Sequence, residues 1–397
     1  MDYRIDDDVA VLRGALLEFL RERMPDPAGE PTCDARLAAW RELVASEWLE
    51  HFAAATGVDS GPAERVAALH VAEAFGAVPV TGPVDAVAGY LLPLMHATGW
   101  RAGLERLRDG SMVTAVVPAL DEPGPNGTSR RLAARLPAVR TGDNGVRVTG
   151  RVTSVPCASD AAAMAIPIGL DGHPALALVD LDRDGVTVGT PSGVDLRRPV
   201  AVVTLDGVSV DGSLVHTAPD LLGLEHTCAT GHSLFLDAEA VGGGGELIAR
   251  TVAYCAGRMQ FGRPIGSFQA VRHRMADVTV KVEGARSLAY RAAWDLGAGT
   301  TGAAADVVAS RLWSSAAYVA AGEAAVQCHG GMGFTWEQRV HLWYRAALAG
   351  RGGAELPAAR AAIAAHLRRL ATESNSQSSP PSGTSAAEPV GASRGAG

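Results

Sequence analysis

The chain has 397 residues, of which 47% are apolar and 20% are charged, and its formal net charge is −8. This length predicts two or three domains, and the mildly acidic balance argues against nucleic acid or anionic lipid as a partner. Five scattered cysteines argue against a disulfide framework. Without a signal-like N-terminus or a bilayer-length apolar run, we expect a cytoplasmic protein with no membrane span.

The first part of the chain, 1–110, is predicted to be a helical domain. In the stretch 6–24, apolar residues recur at three- and four-residue steps. Three aspartates open this stretch, where a helix favours negative charge, and Pro25 ends it. Further helical patterns follow in ARLAAWRELVASEW, PAERVAALHVAEAFG and VDAVAGYLLPLMHATG.

The character of the chain changes over 111–220, which predicts an antiparallel β domain. Short runs rich in Val, Ile and Leu are separated by Gly, Pro and Asp, as in SMVTAVVP, MAIPI, ALALVDL and VAVVTLDGVSV. Asp143-Asn144-Gly145 is a strong signal for a two-residue hairpin, because such turns require positive φ at their central residues. We therefore expect a β domain between two helical domains.

Helical periodicity returns over 221–371, for which we predict a four-helix-bundle domain. The clearest helices are 246–258, 271–296 and 307–326. The last residues, 372–397, are Ser, Pro, Gly and Ala with few bulky apolar side chains, and this composition predicts a disordered tail.

Two features ahead of the first of these helices have alternative interpretations. The glycine run 242–245 is not a G-x-G-x-x-G loop after a strand, and we expect it where two helices pack closely. His226, Cys228 and His232 offer only three ligands in what reads as a loop leading into a helix. We therefore expect neither a nucleotide loop nor a metal site there.

Two segments of the second helical half carry the chemistry. GRMQFGRPIGSFQAVRHRMADV occupies 257–278, and AVQCHGGMGFTWE occupies 325–337. An arginine fixed at a helix end offers a phosphate its cation, and adjacent glycines let backbone N–H groups approach it. Both segments resemble the acyl-CoA dehydrogenase family, with the patterns R-x-x-F-G-x-P-[ILV]-x-x-F-Q and Q-x-x-G-G-x-G-[FY]. A looser resemblance covers 1–370.

The resemblance implies an α+β fold of N-terminal helical, middle β and C-terminal helical-bundle domains, with FAD as the cofactor. It implies that Arg258 meets the pyrophosphate and that Phe261 forms an apolar wall beside the adenine or ribose. The other cofactor-binding candidates are Gln260, Gln269, Gln327, Gly330 and Gly331. The alternative is a salt bridge at Arg258 and a simple helix–helix turn at the glycines.

The resemblance also implies an assembly. In the family, the arginine and the Gln-Gly-Gly strip serve one FAD from neighbouring subunits. The protein would then be at least a dimer: a homodimer, a homotetramer, or a heterotetramer with a homologous subunit.

The implied reaction oxidises an acyl thioester of CoA or a carrier protein to the 2,3-enoyl thioester. A carboxylate removes the α proton, the β hydrogen leaves as hydride to flavin N5, and an electron-transferring flavoprotein accepts the electrons. The catalytic candidate is Glu355, because the family's usual position falls on Ala354 and a one-residue loop shift brings Glu355 in. In branched-chain members the base comes from an earlier helix; that position is His232 here, with Asp237 and Glu239 nearby as weaker candidates.

The β domain departs from the family pattern. Of T-E-P-x-x-G-S-D, the stretch 120–129 keeps only Glu122-Pro123-Gly124, and the flavin-covering W-I-[ST] is replaced by Ser154-Val155-Pro156. Two hypotheses follow. The protein is an active FAD-dependent dehydrogenase, with an oxygen-using oxidase or hydroxylase as a variant. Alternatively, it is a weakly active or non-catalytic subunit that completes the FAD site of a homologous partner chain.

Overall fold

The structure is a computed structural model that describes residues 6–24, 29–117, 135–141, 145–351 and 364. Four of the predictions made from the sequence lie outside these residues. They concern the catalytic candidate Glu355, the stretch 120–129, the hairpin residues Asp143 and Asn144, and the tail 372–397.

The first part of the chain is helical, as expected. Its α-helices are α1 (Asp7–Arg23), α2 (Cys33–Ala45), α3 (Trp48–Ala55), α4 (Pro62–Ala77), α5 (Val84–Ala86), α6 (Leu92–Thr98) and α7 (Arg101–Arg108). A π-helical turn, Val87–Leu91, joins α5 to α6. The predicted acidic start is present in α1, with Asp7 and Asp8 in the first turn, and Arg21 and Arg23 lie in its last turn.

The middle part is a single mixed sheet in the residues that the structure describes. Its strands are β1 (Val113–Ala115), β2 (Leu136–Thr141), β3 (Gly145–Pro156), β4 (Ala163–Leu170), β5 (His173–Asp180), β6 (Val186–Val188), β7 (Val200–Asp211) and β8 (Val215–His216). Their order is β6-β7-β3-β2-β4-β5-β8, with β1 added beside β4. Most neighbours are antiparallel, as expected, whereas β4 runs parallel to both β1 and β2. Val148, Ile166 and Val203 lie in the core of this sheet.

After residue 220 the chain is helical again. The bundle consists of α8 (Leu221–Gly257), α9 (Gln269–Gly297), α10 (Ala303–His329) and α11 (Val340–Arg351). A hairpin of β9 (Met259–Gln260) and β10 (Arg263–Pro264) separates α8 from α9. The predicted helices 271–296 and 307–326 are thus present, with slightly longer bounds. None of the described helices has both the length and the hydropathy needed to cross a bilayer.

The first bundle helix is longer than the sequence predicts. Instead of beginning near 246, α8 begins at Leu221 and runs unbroken for 37 residues, so the predicted loop around His226 is wrong. A Cβ on Gly242 would lie 1.9 Å from the carbonyl oxygen of Glu73 in α4. The expected close packing is therefore present, and the backbone contact between α4 and α8 outweighs the weak helix propensity of glycine.

A buried network of charged side chains joins the three parts of the fold. Arg198, in the loop before β7, bonds Glu239 of α8 through both terminal nitrogens, at 2.8 and 2.5 Å. Its Nη1 also lies 3.3 Å from Oδ1 of Asp85 in α5. His232 of α8 completes the network, with its Nε2 3.2 Å from Asp85 Oδ2.

Candidate functional site

The two sequence motifs meet at one end of the bundle. The Tyr254 ring of α8 stacks on the His329 ring of α10, with centroids 4.2 Å apart and planes at 24°. Beside these rings, burial and the neighbouring Cys328 thiol raise the pKa of Cys255 to about 11. Tyr254 lies one turn before Arg258, and His329 directly precedes the glycine strip. The fold therefore brings both motifs together within one chain.

Arg258 follows the end of α8, and backbone hydrogen bonds fix its direction. Its N–H donates to the Tyr254 carbonyl at 2.8 Å, and its own carbonyl accepts from the Ile265 N–H at 2.8 Å. The side chain is exposed, and it has no ion pair or hydrogen bond with any residue that the structure describes. The salt-bridge alternative thus has no support there. An exposed guanidinium at a fixed helix end suits a phosphate.

The β9–β10 hairpin presents an exposed aromatic ring. Its two-residue turn is Phe261-Gly262, with φ of 53° and 75°, the signs that a type I′ turn requires. Phe261 is 90% exposed, and its ring lies edge-on to that of Phe268, with 6.2 Å between centroids. Gln260, the last residue of β9, and Gln269, the first residue of α9, are both exposed. Positive φ is unfavourable for an aromatic residue, so Phe261 presents its exposed ring at a conformational cost.

The glycine strip has open space in front of it. Gly330 ends α10 with a φ of 60°, which favours glycine. A Cβ on Gly330 or Gly331 would meet nothing within 4 Å, whereas a Cβ on Gly333 would lie 3.0 Å from the Cα of Val326. Gly333 therefore serves packing within the chain. Gly331 has no such reason, and with the exposed Gln327 it offers backbone and amide groups to a ligand.

We call this exposed end of the bundle the cofactor surface. It consists of all the cofactor-binding candidates: Arg258, Gln260, Phe261, Gln269, Gln327, Gly330 and Gly331. An unpaired cation, three amides, an aromatic ring and open glycines fit the adenosine diphosphate half of FAD. Two surface cavities of about 530 and 700 Å³ lie elsewhere, beside the start of α8 and between α3, α4 and α6. All seven residues are exposed, so the cofactor surface is open rather than enclosed.

In the described part of the β domain, the tract Ser154-Val155-Pro156 offers little to a flavin ring. In β3, Val155 is buried and faces the sheet core, while Ser154 is exposed with a φ of 57° beside a register shift. The carbonyl of Pro156 accepts from Thr114 Oγ at 2.6 Å. This tract therefore carries no aromatic ring, and Ser154 supplies its only side-chain hydroxyl. Among the residues that the structure describes, those of the cofactor surface fit the diphosphate half of FAD better than those of this tract fit its ring half.

The candidate carboxylates of α8 are already paired. Glu239 is held by Arg198, as described above. Asp237 is fully buried, accepts from Ser310 Oγ at 2.6 Å and lies 3.5 Å from Nη1 of Arg311. Burial raises the pKa of Asp237 to about 6, although Arg311 and Ser310 oppose the shift. In this arrangement neither carboxylate is free to act as a base.

Sequence reasoning did not identify the partners of these groups. Asp85 and Arg198 lie 147 and 34 residues from His232 in the sequence, in other parts of the fold. Arg311 lies in an ordinary helical pattern, and no recognisable motif lies next to it in the sequence. One signal in the sequence could have indicated that a buried partner is needed: Asp237 is a charged residue at a position where helical periodicity predicts burial.

Comparison with known proteins is consistent with this arrangement. The family model for the acyl-CoA dehydrogenase C-terminal domain matches residues 234–354. Acyl-CoA dehydrogenase IpdE2 of Mycolicibacterium smegmatis is 37% identical over 153 residues, which are 38% of this chain and 46% of IpdE2. The chain therefore aligns with less than half of that relative.

Two further matches extend over most of the chain. A structure of the ChsE4–ChsE5 complex from Mycobacterium tuberculosis has a TM-score of 0.69 at 25% identity, covering 96% of this chain and 100% of the other. Acyl-CoA dehydrogenase FadE27 of Mycobacterium tuberculosis is 30% identical over 324 residues, 78% of this chain and 82% of FadE27. With this coverage, the chain belongs to the acyl-CoA dehydrogenase family of flavoprotein oxidoreductases.

Proposed function

We propose that the protein binds FAD and dehydrogenates an acyl thioester, of CoA or of a carrier protein, to the 2,3-enoyl thioester. The observation that carries this proposal is the cofactor surface: Arg258 is exposed and has no described partner, and Tyr254, one turn before it, stacks on His329, which directly precedes the open Gly330 and Gly331. When bound, FAD supplies the acceptor for the hydride that leaves the β carbon. An electron-transferring flavoprotein would then accept the electrons.

The roles of the chain's own residues follow from their chemistry. Arg258 would balance the charge of the pyrophosphate, and the backbone at Gly330 and Gly331 would approach it closely. Phe261 would cover the adenine or ribose, and the neighbouring glutamines would accept or donate neutral hydrogen bonds. None of these groups takes part in bond breaking.

The proton step needs a carboxylate in an apolar surround. The α proton of a thioester is weakly acidic, so its carbonyl must be polarised and the base must have a raised pKa. We assign this role to Glu355 on the basis of the sequence. The pairing of Asp237 and Glu239 within the fold supports this choice, because neither is available to a substrate.

A second function is favoured by the replaced tract in β3. Ser154-Val155-Pro156 has no aromatic cover for a flavin ring, while all seven residues of the cofactor surface face outwards. A chain of this kind suits a heteromeric dehydrogenase, in which its Arg258, Gly330 and Gly331 contact an FAD that is held mainly by a homologous subunit. The similarity to the ChsE4–ChsE5 complex supports this alternative.

The absorbance spectrum of the protein purified alone separates the two functions. A yellow protein that bleaches on anaerobic addition of one acyl thioester would support a self-sufficient dehydrogenase and identify its substrate class. A colourless but folded protein would support the heteromeric function, and co-expression with a homologous subunit should then restore flavin. A yellow protein that no acyl thioester bleaches, alone or with such a subunit, would contradict both.

A further inference from the structure

His329 is a buried side chain to which the proposed function gives no role. It is the last residue of α10, it is 4% exposed, and the exposed Gly330 of the cofactor surface follows it directly. An imidazole has two polar nitrogens, so its burial costs free energy that a leucine at the same place would not cost. The contacts of the ring supply a reason for its presence.

One nitrogen of the ring bonds the last turn of its own helix. Nδ1 donates to the carbonyl of Ala325 at 2.8 Å, because a carbonyl oxygen can only accept. Burial lowers the pKa of His329 below its usual range, although the bond to Ala325 opposes the shift. The ring is therefore neutral near pH 7, and the bond fixes its direction relative to α10.

The ring joins the two helix ends that carry the sequence motifs. Its face stacks on Tyr254 of α8, with centroids 4.2 Å apart and planes at 24°. Tyr254 in turn holds the backbone of Arg258, since its carbonyl accepts from the Arg258 N–H at 2.8 Å. Stacked aromatic rings attract each other beyond the burial of their area, so the stack resists a change in the separation of the two helix ends.

The chain beyond α10 folds back onto the same residue. Gly330–Phe334 forms a 3-10 turn, and a Cβ on Gly333 would lie 3.4 Å from the Cβ of His329. This turn is thus placed against His329 directly, whereas Arg258 is placed against it through Tyr254. A leucine in place of His329 could fill the space, but it would offer Tyr254 no flat face.

We propose that His329 is a positioning residue: by stacking on Tyr254, it sets the spacing between the Arg258 guanidinium and the glycine backbone that follows α10. This spacing lets both groups contact the same diphosphate. The role rests on the proposed function, in which the cofactor surface binds the diphosphate half of FAD, whether this chain or a homologous subunit holds the flavin. His329 itself touches neither substrate nor cofactor.

The test measures the dissociation constant of FAD by quenching of flavin fluorescence, with the homologous subunit present if the protein is colourless alone. His329→Leu keeps apolar bulk but removes the flat ring, and we expect it to weaken FAD binding about twofold to tenfold. His329→Phe restores a ring that can stack, so it should bind FAD nearly as well as wild type. His216→Leu is the matched control, because His216 stacks on Trp100 in another part of the fold, and this variant should keep the wild-type affinity.

A double-mutant cycle separates positioning from a general structural role. If His329 acts through Arg258, His329→Leu should cost less FAD affinity in an Arg258→Ala background than in wild type. The two substitutions should stay additive in the free energy of unfolding, because the Arg258 side chain is exposed and has no partner among the described residues. Tyr254→Leu and Tyr254→Phe repeat the comparison from the less buried side of the stack if His329→Leu does not fold.

Several results would count against the proposal or against its basis. A wild-type FAD affinity in His329→Leu overturns it, as does a His329→Phe variant that binds FAD no better than His329→Leu. An undiminished effect of His329→Leu in the Arg258→Ala background shows a general structural role and also overturns it. If Arg258→Ala loses affinity and His329→Leu does not, positioning alone fails. If Arg258→Ala keeps full affinity, the phosphate role in the proposed function fails.

Discussion

At the scale of single residues, Arg258 offers the most direct test of the cofactor surface. Its side chain is exposed and has no partner among the described residues, so Arg258→Ala should leave folding unchanged. Flavin should be lost, because the pyrophosphate then lacks its fixed cation. The ratio of flavin to protein absorbance measures the loss. Arg101→Ala, an exposed arginine on α7, is the control, and full flavin in Arg258→Ala would contradict the phosphate role.

Asp237 predicts how stability depends on pH. Its pKa is raised to about 6 from the ordinary 3.8, so the folded protein holds this proton more tightly than the unfolded chain. The protonated carboxyl therefore contributes to the free energy of unfolding in full below pH 3.8, and this contribution is lost as the pH rises through about 6. The whole contribution is about 3 kcal/mol. Asp237→Asn cannot titrate.

We therefore expect Asp237→Asn to gain stability relative to wild type as the pH rises from about 4 to about 7. Urea unfolding of both proteins at several pH values measures the difference. A constant difference across that range would show that the carboxyl of Asp237 does not titrate as proposed.

At the scale of elements, the contact between α4 and α8 explains why a helix continues through four glycines. Each glycine weakens an isolated helix by about 1 kcal/mol, so the sequence pattern predicts that the helix begins after them. The contact that favours the longer helix involves Gly76 and Gly242, which are 166 residues apart in the chain. Local patterns carry no information about such a contact, although they did predict the glycine run as a packing site.

The glycines of α8 also provide a matched pair of variants. Gly242→Ala would place a Cβ 1.9 Å from the Glu73 carbonyl oxygen, while Gly245→Ala would meet nothing within 4 Å. We expect the first to lower the free energy of unfolding by about 1–3 kcal/mol or more, because a backbone atom must move. The second should raise it by roughly 0.5–1 kcal/mol.

Chemical denaturation of both variants measures these changes. Equal effects at the two positions would show that α4 and α8 do not approach as closely as the structure has them.

The β elements show a similar division between local and distant information. The short runs rich in Val, Ile and Leu predict a sheet and its position between the two helical parts. The parallel pairing of β4 with β1 and β2 was not predicted, because pairing depends on contacts that the chain order does not reveal. The motif around Phe261 can be recognised from the amino-acid sequence, whereas the positive φ and the exposed ring of Phe261 are visible only in the structure.

At the scale of the whole molecule, Arg198 joins all three parts through Asp85 and Glu239. Despite the opposing effect of burial, Arg198 and His232 lower the pKa of Asp85 below its usual range. Arg198→Met would leave two buried carboxylates without their cation. We expect a loss of about 3–5 kcal/mol in the free energy of unfolding.

A surface ion pair serves as the comparison. Arg106 of α7 also reaches the sheet, with Nη2 3.1 Å from Asp180 Oδ1, but its side chain is 35% exposed. Arg106→Met should lower the free energy of unfolding by no more than about 1 kcal/mol. Urea titrations compare the two variants, and similar losses would argue that the network of Arg198 does not hold the parts together.

The family, the order of its three parts and FAD could be predicted from two motifs and the change in residue character along the chain. The partners of Asp237, Glu239 and His232 could not, because each pair joins residues that are distant in sequence. Glu355 and the limits of the domains stay predictions.

The close approach of α4 and α8 has a consequence for dissecting the molecule. A Cβ on Gly76 of α4 or on Gly242 of α8 would collide with a carbonyl oxygen of the other helix. At these glycines the two backbones are therefore in direct contact, along a line that we call the seam. Trp343 of α11 adds a hydrogen bond to the Gly76 carbonyl at 2.9 Å across the same seam. The compositional limit near residue 220 is therefore a poor place to cut the gene. A fragment starting there would lack the surface against which its glycines are fitted, and calorimetry of the intact chain should record the two helical parts melting as a single cooperative unit.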